Sequence, residues 1–192
     1  MCGRYYIDDE MVTEIEKIVR KVNEKFSYKG DIYPTNKVPI IHSDQDSVAS
    51  SLMTWGFPNH MKKGVLINAR SETVKEKKTF SSSVTDRRCI VPATGFYEWD
   101  AAKNKIQFKR SDNQLLFMAG IWKNFADGNR FVILTTGANA SMEDIHDRMP
   151  LVLEKSELES WIFENDYVDF ALHKVPVNLK KIREYEQGKL HF

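Results

Sequence analysis

Apolar residues recur along the chain with two different periods, and the changes of period mark out its elements. Residues 4–7 make a short strand-like start. Asp8 and Asp9 can then cap a helix whose apolar positions Val12, Ile15, Ile18, Val19, Val22 and Phe26 fit a 3.6-residue repeat. Gly30 and Pro34 break that repeat. From about Val38 to Leu134 the pattern is mostly β, in short runs at 38–41, 65–67, 89–91, 96–99, 115–118 and 131–135 separated by Gly, Pro and Asn-Lys pairs. Asp127-Gly128, between two apolar runs, predicts a hairpin turn. Ser156-Glu157-Leu158-Glu159 reads as a capping box that opens a short helix through Trp161 and Phe163. The tail from Asn178 is charged and expected to be loosely held. These elements predict one α+β domain over residues 1–192 with a mainly antiparallel sheet core.

Composition supports that picture. A chain of 192 residues with 42% hydrophobic content fits a single domain, and at this size folding buries roughly 70% of the unfolded surface. Eleven Phe, seven Tyr and four Trp exclude a disordered chain. Lys and Arg number 28 against 27 Asp and Glu, so a strongly basic, histone-like binder is excluded, and any affinity for nucleic acid must reside in a local cleft. Two cysteines are too few for a disulfide framework. No run of ~18 apolar residues predicts a membrane span, and the start lacks the apolar core of a signal peptide. The expected setting is the reducing cytoplasm.

Cys2 carries the most distinctive chemistry. Removal of Met1 would place an α-amine and a thiol on adjacent carbons. An α-amine titrates near ~7.7 against ~10.4 for lysine, so a useful fraction is neutral at pH 7. A neutral amine attacks an aldehyde to give a Schiff base, and the thiol can then close a five-membered thiazolidine. As a plain residue, Cys2 would simply be a small apolar side chain. His146, in Ile145-His146-Asp147-Arg148-Met149-Pro150, is a candidate acid/base group on a loop. The five histidines show no metal-ligand spacing, so no metal is expected. Glu98, between Tyr97 and Trp99, is either paired, proton-retaining or merely outward-facing. Asn68, Arg70 and Glu72 would share one face of an extended strand, where Arg70 suits phosphate or pairs with Glu72. Trp55, in Trp55-Gly56-Phe57-Pro58, is either a stacking aromatic or core. No nucleotide or cofactor fingerprint occurs, and no cofactor is expected.

Taken together, these segments resemble the SRAP (SOS-response-associated peptidase) family. The resemblance rests on Met1-Cys2-Gly3-Arg4-Tyr5, Trp55-Gly56, Asn68-Ala69-Arg70-Ser71-Glu72, Arg88-Cys89-Ile90-Val91-Pro92, Gly95-Phe96-Tyr97-Glu98-Trp99, Ala119-Gly120-Ile121-Trp122, Leu134-Thr135-Thr136 with Asn139, and His146-Asp147-Arg148-Met149-Pro150. It implies a barrel-like core with flanking helices and an enzyme that cross-links to abasic sites in single-stranded DNA, with possible lyase activity. It implies catalytic roles for Cys2, Asn68, Glu98 and His146. DNA contacts fall to Arg4, Trp55, Arg70, Trp99 and Arg148. The implied partner is abasic single-stranded DNA, engaged by a monomer at the nucleoid and away from any membrane. Asp31 and Tyr33 depart from the family pattern, which usually carries Asn and a small residue there. Thr94 and the stretch Lys105-Ile106-Gln107-Phe108 also depart from it. Two other readings stay open: a cysteine peptidase using Cys2 and His146, whether general or confined to its own Met1–Cys2 bond, and a non-catalytic single-strand binder.

Overall fold

The computed structural model describes residues 2–19, 21–22, 29–59 and 62–183. The chain runs through β1 (Arg4–Ile7), α1 (Asp9–Ile18), β2 (Lys21–Val22), β3 (Gly30–Ile32), β4 (Lys37–Asp44), β5 (Ser47–Trp55), β6 (Phe57–Pro58), β7 (Val65–Leu66) and β8 (Asn68–Arg70). A 3-10 turn (Ser71–Thr73) and α2 (Ser81–Asp86) lead into β9 (Arg88–Ala93), β10 (Gly95–Trp99), β11 (Lys105–Arg110), β12 (Leu116–Phe125) and β13 (Gly128–Gly137). β14 (Arg148–Pro150), β15 (Val152–Leu153), a second 3-10 turn (Lys155–Glu157), α3 (Leu158–Phe163), α4 (Asn165–His173) and β16 (Leu179–Arg183) complete it.

Five strands close into a barrel in the order β13-β12-β9-β4-β5, joined by antiparallel ladders. The seam is different: β5 returns to β13 in parallel, with Arg130 opposite Thr54 and Phe131 opposite Trp55. Closure removes the open edges that would otherwise invite aggregation. Beyond the seam β13 continues and takes β8 alongside, with Ile133 opposite Asn68 and Thr135 opposite Arg70. The Asn68–Arg70 segment is thereby held at the barrel mouth.

A second sheet, β16-β11-β10-β1-β3, covers that mouth. In β1 the alternation is clean: Tyr5 and Ile7 are buried, while Arg4 and Tyr6 are partly exposed. The Tyr5 ring meets Trp55 of the barrel at 5.2 Å, which joins the two layers, and Phe96 stacks on Phe108 at 5.2 Å on the same inner face. On the opposite face Gly95 leaves room for the Tyr6 ring, since a Cβ there would lie 2.5 Å from both Phe108 O and Tyr6 Cε1. Arg88 fastens the helices to the barrel. Its guanidinium donates to the carbonyls of Val84, Thr85, Trp161 and Ile162 and to Asn165 Oδ1, so one buried cation caps the C-terminal ends of both α2 and α3. Among the described residues no helix is long and apolar enough to cross a membrane.

Several local expectations meet the structure directly. Residues 4–7 form β1, and Asp8 caps α1 by accepting from the Met11 N–H at 3.2 Å. The helix is shorter than its periodicity predicts. Val19 is extended (φ −93°, ψ 141°), and Lys21 and Val22 pair with Ala49 and Ser50 instead. Phe26 lies outside the described residues. The hairpin forms one residue earlier than expected: Ala126 and Asp127 make the turn, and Gly128, at φ +115°, opens β13 opposite Phe125. The capping box sits two residues earlier than expected: Glu154 and Glu157 form it, with the Glu154 N–H donating to Glu157 Oε2 at 2.6 Å. The tail expectation is corrected at its start, because Leu179–Arg183 is an edge strand paired along β11. Leu179 is buried, Lys180 is exposed, and Lys181 pairs with Asp144 at 2.6 Å. The rest of the tail lies outside the described residues.

Candidate active site

Cys2 sits just before β1, fully buried, with its thiol 3.9 Å from Arg4 O. Burial pushes its pKa well up, and the Glu98 carboxylate adds to that push, so the thiol stays protonated in the neutral range. Glu98 comes from β10, the antiparallel partner of β1, and is only 4% exposed. A carboxylate this deep beside a thiol is an arrangement for moving protons. Asn68, at the start of β8, approaches from the barrel. Its Nδ2 donates to Cys2 O at 3.0 Å, while its buried Oδ1 meets no donor among the described residues. The amide thus fixes the Cys2 backbone and leaves an acceptor turned loose beside it.

A second cluster lies where β8 runs beside β13. Arg148 is gripped in bidentate fashion by Glu72, at 2.5 and 2.8 Å, and also donates to Thr135 O at 2.6 Å. Those bonds hold the Glu72 carboxyl below the usual range. Glu72 stands on the 3-10 turn after β8, so the expectation of one strand face carrying Asn68, Arg70 and Glu72 is corrected. Glu72 is clamped to Arg148 and serves it as an ordering partner, while Arg70 remains exposed at the end of β8. His146 occupies the loop before β14. Arg148's backbone N–H donates to His146 Nδ1 at 2.9 Å, and Asp147 Oδ1 lies 2.8 Å from that same nitrogen. Neutral imidazole accepts from the amide and protonated imidazole donates to Asp147, so each protonation state has a partner.

On the outer face of the second sheet, the Arg4 guanidinium lies 4.6 Å from the Tyr33 ring and 5.1 Å from the Trp99 ring. Lys105 Nζ lies over Tyr97 at 4.2 Å. Trp99 and Tyr33 are open to solvent. Trp55 is not: it is fully buried between Tyr5 and Phe131, and its indole N–H donates to Ile67 O at 3.0 Å. The stacking role considered for Trp55 is therefore corrected to a core role, because neither ring face is available to a base.

The profile of the SOS response associated peptidase (SRAP) family matches residues 1–186. The chain belongs to the SRAP family. It is 33% identical over 215 residues to the abasic site processing protein YoqW of Bacillus subtilis, covering 99% of this chain and 93% of that one. The abasic site processing protein YedK of Escherichia coli is 29% identical over 176 residues, covering 84% and 79%. Among solved structures, a Bacteroides thetaiotaomicron protein superposes with a TM-score of 0.82 at 21% identity, covering 96% of this chain and 93% of that one. A Bordetella bronchiseptica protein gives 0.78 at 22%, covering 95% and 99%. These two likenesses show that the SRAP fold is shared.

The structure joins Asn68 to Cys2 by a hydrogen bond and sets Glu98 within electrostatic reach of the thiol. It places His146 in the neighbouring Arg148 cluster, which Thr135 and Arg70 connect back to β8. Sequence reasoning passed over Glu72 as an ordering group and Tyr33 as an exposed aromatic. An aromatic in the polar turn between Gly30 and Thr35 was the available signal for Tyr33. Nothing in the local sequence announces the Glu72–Arg148 clamp, whose partners are 76 residues apart.

Proposed function

We propose that this protein processes abasic sites in single-stranded DNA by joining the opened sugar covalently to Cys2. The observation that carries the reading is the Cys2 pocket: a buried thiol flanked by a buried carboxylate and an amide with an unfilled acceptor. Once Met1 is removed, the Cys2 amine attacks C1′ of the aldehyde to give a carbinolamine. Glu98 protonates the carbinolamine hydroxyl, which leaves as water, and an iminium forms. Cys2 Sγ then adds to the same carbon while its proton passes back to Glu98, closing the thiazolidine. One water is released and every proton is accounted for. Asn68 Oδ1 accepts from the iminium N–H or a sugar hydroxyl, and His146 exchanges protons in ring-opening or reversal. Elimination from the iminium gives the accompanying lyase reaction. Arg4 and Arg70 meet phosphates, Arg148, clamped by Glu72, orders the rim beside them, and Trp99 offers a face to a base.

The names of the relatives YoqW and YedK support the substrate class. A cysteine peptidase would be served by a thiol whose pKa is depressed beside a histidine. Here burial and Glu98 act in the opposite direction, which favours a mechanism that begins at the amine. In this reading the protein works on DNA as a monomer in a reducing cytoplasm. The test is intact-mass spectrometry of the protein mixed with an abasic single strand. The expected species is the chain without Met1 plus the strand less one water, stable to heat. Absence of that adduct, with Met1 shown to be removed, would overturn the proposal.

A further inference from the structure

Arg4 is held in an unusual way for a group expected to bind phosphate. Its Nη1 donates one long hydrogen bond to Asp31 Oδ2, at 3.4 Å, and its buried Nε finds no acceptor among the described residues. Asp31 Oδ2 also accepts from Tyr33 OH at 3.5 Å. The side chains of Arg4 and Asp31 are 26% and 29% exposed, so the pair is open to solvent and replaceable. The contrast with Arg148, gripped at two points by Glu72, is plain. Aromatic rings orient Arg4, and among the described residues Asp31 is the one acceptor its guanidinium bonds. A phosphate offering two oxygens is the better partner. When phosphate arrives, however, the Asp31 charge stays beside it.

We propose that Asp31 is a specificity-determining residue, a resident counter-ion of Arg4 that weakens the hold of undamaged single strands on this face. The inference rests on the reading of this site as a DNA-processing one. Backbone affinity is the same for intact and damaged strands, and binding that is uniformly tighter ties the protein up on the intact majority. The covalent adduct retains a damaged strand whatever the backbone affinity is. A carboxylate beside Arg4 therefore lowers the unproductive term and leaves the bond-forming groups around Cys2 alone.

The experiment measures binding of an undamaged single-stranded oligothymidylate across a salt series by fluorescence anisotropy. It compares the full chain with Asp31→Asn, Arg4→Ala and the double variant. Asp31→Asn is expected to bind about two- to tenfold more tightly and to steepen the log–log salt slope by up to about one unit. In the Arg4→Ala background that gain should fall by more than half, because the carboxylate acts through Arg4. Equal or weaker binding by Asp31→Asn overturns the proposal, as does an undiminished gain without Arg4. A parental chain that binds no strand and forms no adduct with an abasic one overturns the site reading and this inference together. Adduct formation with unaltered Asp31→Asn binding overturns this inference alone.

Discussion

Cys2 and Cys89 are both fully buried, both free and both pushed to high pKa, yet they sit in regions of opposite character. Cys89 belongs to β9 in the barrel wall. It faces Gly120 so closely that a Cβ there would lie 3.0 Å from its Sγ, and Trp161 donates to its carbonyl at 2.9 Å. Desolvation alone accounts for its raised pKa. Cys2, at the barrel mouth, has a carboxylate and an amide for neighbours. Burial silences a thiol equally in both places. On the proposed mechanism, what sets Cys2 apart is the company of groups that can give and take protons.

The sharpest way to break this comparison is to remove each thiol in turn. Cys2→Ala should abolish the untreated adduct with abasic DNA. A borohydride-trapped Schiff base should survive, since the α-amine remains. Cys89→Ala should cross-link at the parental level and cost about 1 kcal/mol of stability. Equal untreated adduct from Cys2→Ala would erase the distinction. Next in size is Glu98→Gln, which keeps shape but cannot exchange a proton. Adduct formation in single-turnover assays should slow by roughly 10²–10⁴-fold with strand binding intact, and a parental rate would return Glu98 to a packing role.

What the two thiols share is testable through pH. Each is raised above its unfolded value near ~8.5, so unfolded chains shed the proton first as pH rises. The stabilisation is complete below that pH and is lost above it, by about 1.4 kcal/mol per pH unit per thiol. Urea unfolding between pH 9 and 10 should therefore show a slope reduced by that amount in Cys89→Ala. An unchanged slope would mean that Cys89 ionises in the native barrel. The smallest expected effect lies at the rim. Arg70→Ala should weaken strand binding modestly and make the salt slope shallower by roughly one unit, whereas no change would make Arg70 a solvated surface charge.

Much of the local architecture was legible because its causes are local. A strand-like start marked β1, an aspartate set the start of α1, and Asp127-Gly128 placed the hairpin to within one residue. The barrel seam was not legible, since it joins residues near 55 to residues near 131 by parallel pairing with no turn between them. The same distance hid the fate of Trp55: a tryptophan beside Gly and Pro suits a surface wedge until Tyr5 and Phe131 are seen on either side. Arg88 offered no hint either, because its partners are backbone carbonyls, which every residue owns. Cys2, Asn68 and Glu98 were nominated by residue type and family resemblance. Their meeting depends on β1, β8 and β10 converging at one end of the barrel.

The pairing of β1 with β10 also sets a timetable. Tyr5 is opposite Ile32 on one side and Phe96 on the other, so the first strand can meet β3 early but waits about ninety residues for β10. At roughly 5–20 residues per second on the ribosome, that wait lasts on the order of 5–20 s. Throughout it Cys2 has neither Glu98 to face nor β10 beside its strand. Any trimming that exposes the Cys2 amine has its opportunity then, and so does any oxidant that finds the thiol. Docking of β10 closes this early window, and a slowly translated message would lengthen it in proportion.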